Sequence, residues 1–155
     1  MLKDYINGSD LLLGLGADKK AVAKSTTHTT TFNTETKERA VKPIASKPAE
    51  QSQFKEKGVT GKSVTISAEG LRFGQGDTEF GFKELLAAYK AGKSIPVVAY
   101  ERGDSESPYL EGNFVITSLE ESAPAQDDAT FSVTLENDGY VEISPDALSS
   151  GALAS

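Results

Sequence analysis

Hydrophobic and polar positions alternate most cleanly in residues 129–136. Ala129, Phe131, Val133 and Leu135 fall on one side, and Thr130, Ser132, Thr134 and Glu136 on the other. A period of two is the side-chain spacing of a pleated strand, and one apolar side marks a strand with one face on a core and the other in water. Residues 63–68 repeat the pattern, with Val64, Ile66 and Ala68 against Ser63, Thr65 and Ser67. Residues 95–101 and 112–119 read as further strands, Pro96 being confined to a strand start or an edge. Near the N-terminus, the apolar residues 10–16 lead through Ala17-Asp18-Lys19-Lys20 to a Thr-rich, β-branched run over residues 21–32. Such residues suit a strand with a polar face, and the two runs read as a β-hairpin. Glu136-Asn137-Asp138-Gly139 reads as a tight turn after which Val141 and Ile143 return as a short strand. The pattern predicts about seven strands.

One segment has the period of a helix. Phe82, Leu85, Leu86 and Tyr89 recur at i, i+3, i+4 and i+7, which places them on one face of a helix near residues 79–91. Asp77, Thr78 and Glu79 suit its N-terminus, and Lys90, Gly92 and Lys93 its C-terminus. These four apolar residues are the expected helix core face. Residues 33–62 show little periodicity and contain Pro43, Pro48, Gly58 and Gly61, so a long loop is expected there.

Charge gives that loop a possible role. The chain carries 16 Lys and Arg against 23 Asp and Glu, a net charge of −7. Residues 1–62 are net basic and residues 63–155 strongly acidic, with seven basic against three acidic side chains within 37–62. A basic loop and an acidic body favour contact between copies of the chain, residues Val41, Lys42, Ile44, Lys47, Phe54, Lys55, Lys57 and Val59 being the expected inter-subunit contacts. The apolar members would supply contact energy, and the lysines would steer register. An acidic total argues against grip on nucleic acid.

Candidate chemistry is sparse. There is no Cys and one His, so thiolate catalysis, Cys-ligated zinc and His-pair metal sites are excluded. Gly58-Val59-Thr60-Gly61-Lys62-Ser63 ends like a phosphate loop, but position 56 is Glu and the segment opens a strand rather than a helix. Glu120-Glu121 and Asp127-Asp128 flank a hairpin loop without the spaced ligands of a calcium site. No nucleophile has a positioned base. The chain is expected to be non-enzymatic, without cofactor or metal. Apolar runs such as Leu11-Leu12-Leu13 are too short to span a membrane, and the N-terminus lacks a signal-peptide core, so a product made in the cytosol is expected.

The order of these segments resembles the tail tube proteins of long-tailed, lactococcal-type siphophages. The matching pieces begin with Asp10-Leu11-Leu12-Leu13, the Thr-rich run and Asn33-Thr34-Glu35-Thr36-Lys37. The strand after Lys57-Gly58, the Phe82-Lys83-Glu84-Leu85-Leu86 helix, the 109–120 strand and the 123–139 stretch follow in turn. The resemblance implies a mainly β, sandwich or barrel-like fold with one helix and a long loop between the second and third strands. It implies one domain over residues 1–143, an inter-subunit loop at 33–62 and a flexible tail at 144–155. It further implies a hexameric ring that stacks into a tube in the virion tail, with double-stranded DNA passing through without specific binding. Its partners would be copies of itself and the tape-measure and tail-terminator proteins, with no membrane. Two other readings stand beside it: the ring protein of a bacterial contractile injection or secretion tube, and a β-sandwich carbohydrate-binding module.

Overall fold

The computed structural model describes residues 6–16, 20–21, 25–39, 56–72, 81–103 and 106–148. Seven antiparallel strands form one sheet in the order β2-β1-β5-β6-β7-β4-β3. They are β1 (Leu11–Leu15), β2 (Lys20–Ala21), β3 (Ser25–Arg39), β4 (Glu56–Leu71), β5 (Ile95–Glu101), β6 (Leu110–Ser122) and β7 (Thr130–Ile143). The single helix among the described residues is α1 (Phe82–Ala91).

The alternating segments become strands for the reason their pattern suggests. Val64, Ile66 and Ala68 of β4 and Phe131, Val133 and Leu135 of β7 are buried. They join Leu13 and Leu15 of β1, Val97 and Ala99 of β5, and Leu110 and Phe114 of β6 in one cluster. Strands from both halves of the sheet share this core, so the sheet curls over it. Residues 11–13 and 25–28, from the two sides of the sheet, line a common cavity of about 430 Å³. The result is the mainly β, barrel-like fold expected.

Several expectations need correction. The apolar and Thr-rich N-terminal runs do not pair with one another. β1 pairs with the two-residue β2 and with β5, and β3 pairs with β4 alone. Beside Ala99 and Val97 of β5, Leu13 and Leu15 of β1 are buried in the core. The expected 136–139 turn is a bulge inside a continuous β7: Phe114 pairs Asn137 and Gly112 pairs Val141, so three residues of β7 oppose one of β6. At the two ends of the expected 33–62 loop, residues 33–39 and 56–62 are paired strand, and residues 40–55 lie outside the described residues. At the C-terminus, the Ser144 N–H donates to the Tyr109 carbonyl at 2.9 Å, and a 3-10 turn follows over Pro145–Ala147. The expected free tail is therefore docked at its start.

Helix α1 covers the core beside β6. The Gly81 N–H donates to the Glu84 carboxylate at 3.0 Å, and Gly92 ends the helix at φ 68°. Leu85 is fully buried. Phe82 packs on the core, its ring 6.0 Å from that of Phe131 and covered by the Arg72 guanidinium at 4.8 Å. Leu86 and Tyr89, however, are 48% and 58% exposed. Within the helix Leu85 is buried and Phe82, Glu84 and Ala88 are half-buried, so the covered strip is rotated from the centre of the apolar stripe. A sheet on one side only buries a narrow strip of a helix, and the described residues supply no second layer to cover the rest.

Candidate assembly surface

The face of β3-β4-β7-β6 opposite the core is built mostly of hydroxyls and carboxylates. Register places its side chains in rows. Thr31, Thr65, Glu136 and Val115 make one row, Thr29, Ser67, Thr134 and Ser118 the next, and Thr27, Glu69, Ser132 and Glu120 a third. No Lys or Arg stands in these rows. The Ser132 hydroxyl donates to the Glu120 carboxylate at 3.3 Å, and the Asn33 amide to the Thr65 hydroxyl at 3.4 Å. The face can hydrogen-bond water and repel anions.

Both sides of this four-stranded section are open. β3 ends the sheet, so its outer N–H and C=O groups have no strand partner among the described residues. β5 pairs with β6 only over residues 110–114, which leaves residues 115–122 without a strand on that side among the described residues. The open stretches, 25–32 of β3 and 115–122 of β6, lie at the same level of the sheet. Neither contains Lys or Pro, residues that keep a solitary edge from pairing.

Beyond Thr65 and Glu136, β4 leaves β7 and continues with β3 as a two-stranded ribbon. Its two sides are fastened where the strands meet a bulge, the Thr60 hydroxyl donating to the Glu35 carbonyl at 3.3 Å. Phe32 and Val59 are exposed on the ribbon. Of the expected loop contacts, Lys57 and Val59 therefore belong to β4, opposite Glu38 and Thr36. Val41, Lys42, Ile44, Lys47, Phe54 and Lys55 lie outside the described residues, as do Asp77, Thr78 and Glu79. The phosphate-loop lookalike is strand throughout, which removes the helix N-terminus such a loop needs. His28 sits on β3 opposite Ala68, where burial lowers its pKa. The acidic pairs lie at the end of β6 and in the loop after it. Reading the sequence missed the two open edges. Their signal was the absence of Lys and Pro from residues 25–36 and 115–122.

The phage tail tube protein family matches residues 5–143. The chain belongs to this family. Solved tail structures have the same fold as this tail tube protein. A chain from the virion of a native gene transfer agent particle superposes with a TM-score of 0.71 at 20% identity, over 90% of this chain and 99% of that one. The tail of an empty gene transfer agent particle, refined with C6 symmetry, gives the same values. The SPP1 tail tube gives a TM-score of 0.59 at 18% identity, over 87% of this chain and 77% of that one. No curated protein matches the tail tube protein by sequence.

Proposed function

We propose that this tail tube protein is a non-enzymatic structural subunit that closes six copies into a ring, the rings stacking into the tube through which DNA leaves the virion. The observation that carries this reading is the four-stranded section with a polar, acid-bearing face and an open edge on each side. β6 and β4 run one way, and β7 and β3 the other. Rotation about a tube axis preserves strand direction, so β3 of one copy meets β6 of the next antiparallel. An even number of alternating strands thus closes without a parallel seam, and closure removes both edges. The number six is that of the C6 gene transfer agent tail. With strands about 4.8 Å apart and tilted by about 40°, four strands from each of six copies give a barrel about 48 Å across its backbone. A DNA duplex fits inside.

The hydroxyl-and-carboxylate face would line that bore. Nucleic acid is gripped by Lys and Arg on phosphate, and glutamates in a hydrated wall do the reverse. Residues 6–143 act in this reading as one unit, with 144–155 appended. The ribbon and the 40–55 segment beyond it reach the next ring. Val41, Ile44, Phe54 and Val59 carry the apolar contact, and Lys42, Lys47, Lys55 and Lys57 meet acidic surface. A tape-measure polypeptide would occupy the bore before DNA, and a terminator would cover the last ring.

The chain has no cysteine, so a disulfide scan has no background. Thr29→Cys combined in turn with a cysteine at residues 115, 118, 120 and 122 tests the seam, with negative-stain microscopy of the wild type beside it. Rings or tubes, and a ladder of oxidised oligomers from at least one pair but from no single variant, are expected. Tubes with no cross-linking pair would refute the β3–β6 seam. A monomer at every concentration would refute the function.

A further inference from the structure

The ribbon leaves the sheet at a built fork. At the level where β4 parts from β7, the Val64 N–H donates to the Asn137 side-chain carbonyl at 2.9 Å instead of continuing the backbone ladder. The Asn137 amide nitrogen donates in turn to the Gly139 carbonyl at 2.9 Å. Gly139 has φ 89°, a conformation open to glycine. Across the bulge, Gly112 approaches so closely that a Cβ there would lie 3.2 Å from the Tyr140 carbonyl oxygen. Val64 is buried, so its N–H needs a partner. Asn137 satisfies it while turning the following β7 backbone away.

We infer that Asn137 is the positioning residue that sets where the β3–β4 ribbon departs from the wall of the ring, and so the surface one ring offers the next. A ladder continued past Thr65 and Glu136 would lay residues 56–63 flat against β7. The side-chain substitute stops it, leaving these residues paired with β3 only. An amide fits this place because it accepts from one strand and donates to the bulge of the other. The inference rests on the stacked-ring reading above, but its first readout does not need a ring.

Asn137→Ala removes both bonds, and Asn137→Asp keeps the acceptor and loses the donor. Amide hydrogen exchange on unassembled protein follows Val64, and electron microscopy follows tube length. In Asn137→Ala, Val64 should exchange about tenfold faster while the β6–β7 amides stay protected. Rings should then form without stacking into long tubes. Asn137→Asp should keep Val64 protected and form tubes. Unchanged Val64 exchange in Asn137→Ala, or tubes of wild-type length from it, would overturn the inference. If Asn137→Ala gives no soluble protein, Asn137→Asp decides: a protected Val64 with no tubes overturns it, and a protected Val64 with tubes supports it. Wild-type protein that never forms rings would instead sink the ring reading, and Val64 exchange would still report on the fork.

Discussion

Two neighbouring leucines on α1 should answer the same substitution very differently. Leu85 is fully buried in the core, and Leu86 is 48% exposed. Truncating a buried Leu to Ala removes its transfer energy and leaves a cavity, about 2–5 kcal/mol in all. Leu86 has no cavity to leave, and about half the burial energy of a Leu, less what Ala retains, comes to about 0.5–1 kcal/mol. Both positions gain slightly from the helix propensity of Ala. For a chain of this size each kcal/mol moves Tm by about 2–4 °C, so Leu85→Ala should lower it by about 4–20 °C and Leu86→Ala by about 1–4 °C. The assay is circular dichroism through thermal and urea unfolding, at concentrations where chromatography shows monomer, because assembly would add its own stabilisation. The urea m-value should be unchanged in both. Equal losses, or a larger one for Leu86, would refute the orientation of the helix and restore the symmetric apolar stripe that sequence spacing suggested.

Gly112→Ala should lower Tm by several degrees, since its Cβ would lie 3.2 Å from the Tyr140 oxygen and the Val141 methyl, whereas Gly8→Ala, with nothing within 4 Å, should be nearly silent. A calorimetric comparison showing equal effects would rule out the tight bulge. Burial lowers the pKa of His28 from its ordinary 6.5, so below that pH the unfolded chain binds more protons than the folded one. Stability should therefore fall as pH drops from about 7 to about 5, and less steeply in His28→Gln; parallel curves would discard the burial argument. Among the described residues no three His, Cys, Asp or Glu side chains gather to hold a metal. A chelator should therefore leave Tm unchanged, and a fall of many degrees would reveal an oxygen-ligated ion.

What the sequence disclosed and what it hid divide along physical lines. The strands over residues 63–68 and 129–136 were legible because one face of each is buried, and burial writes itself as alternation. The pairing of β1 with β5 was not, because partner choice depends on which apolar faces meet in three dimensions. Asn137-Asp138-Gly139 carries the same local preference in a hairpin turn and in a bulge, and the pairing with β6 around the closely packed Gly112 distinguishes them. The ribbon within residues 33–62 was hidden for a different reason. A two-stranded arm buries neither face, so no hydrophobic period marks it, and its residues read as loop. Of the candidate contacts, Leu85 and Phe82 hold the core as spacing suggested, and Leu86 and Tyr89 do not.

The pairing of β1 with β5 has a consequence in time. Leu15 lies beside Val97, with about 80 residues between them in the chain, so at roughly 5–20 residues per second the first strand waits about 4–16 s after synthesis for its partner to emerge. The β3–β4 and β6–β7 pairs join strands that follow one another along the chain and close early. The nascent subunit therefore passes through an interval in which Leu11–Leu15 has only the two-residue β2 to lie against, through Gly14 and Leu15. In that interval an apolar segment is exposed at the ribosome, where a chaperone or a second nascent copy can reach it. A high-yield burst of translation lengthens no single wait, but it crowds many such segments together.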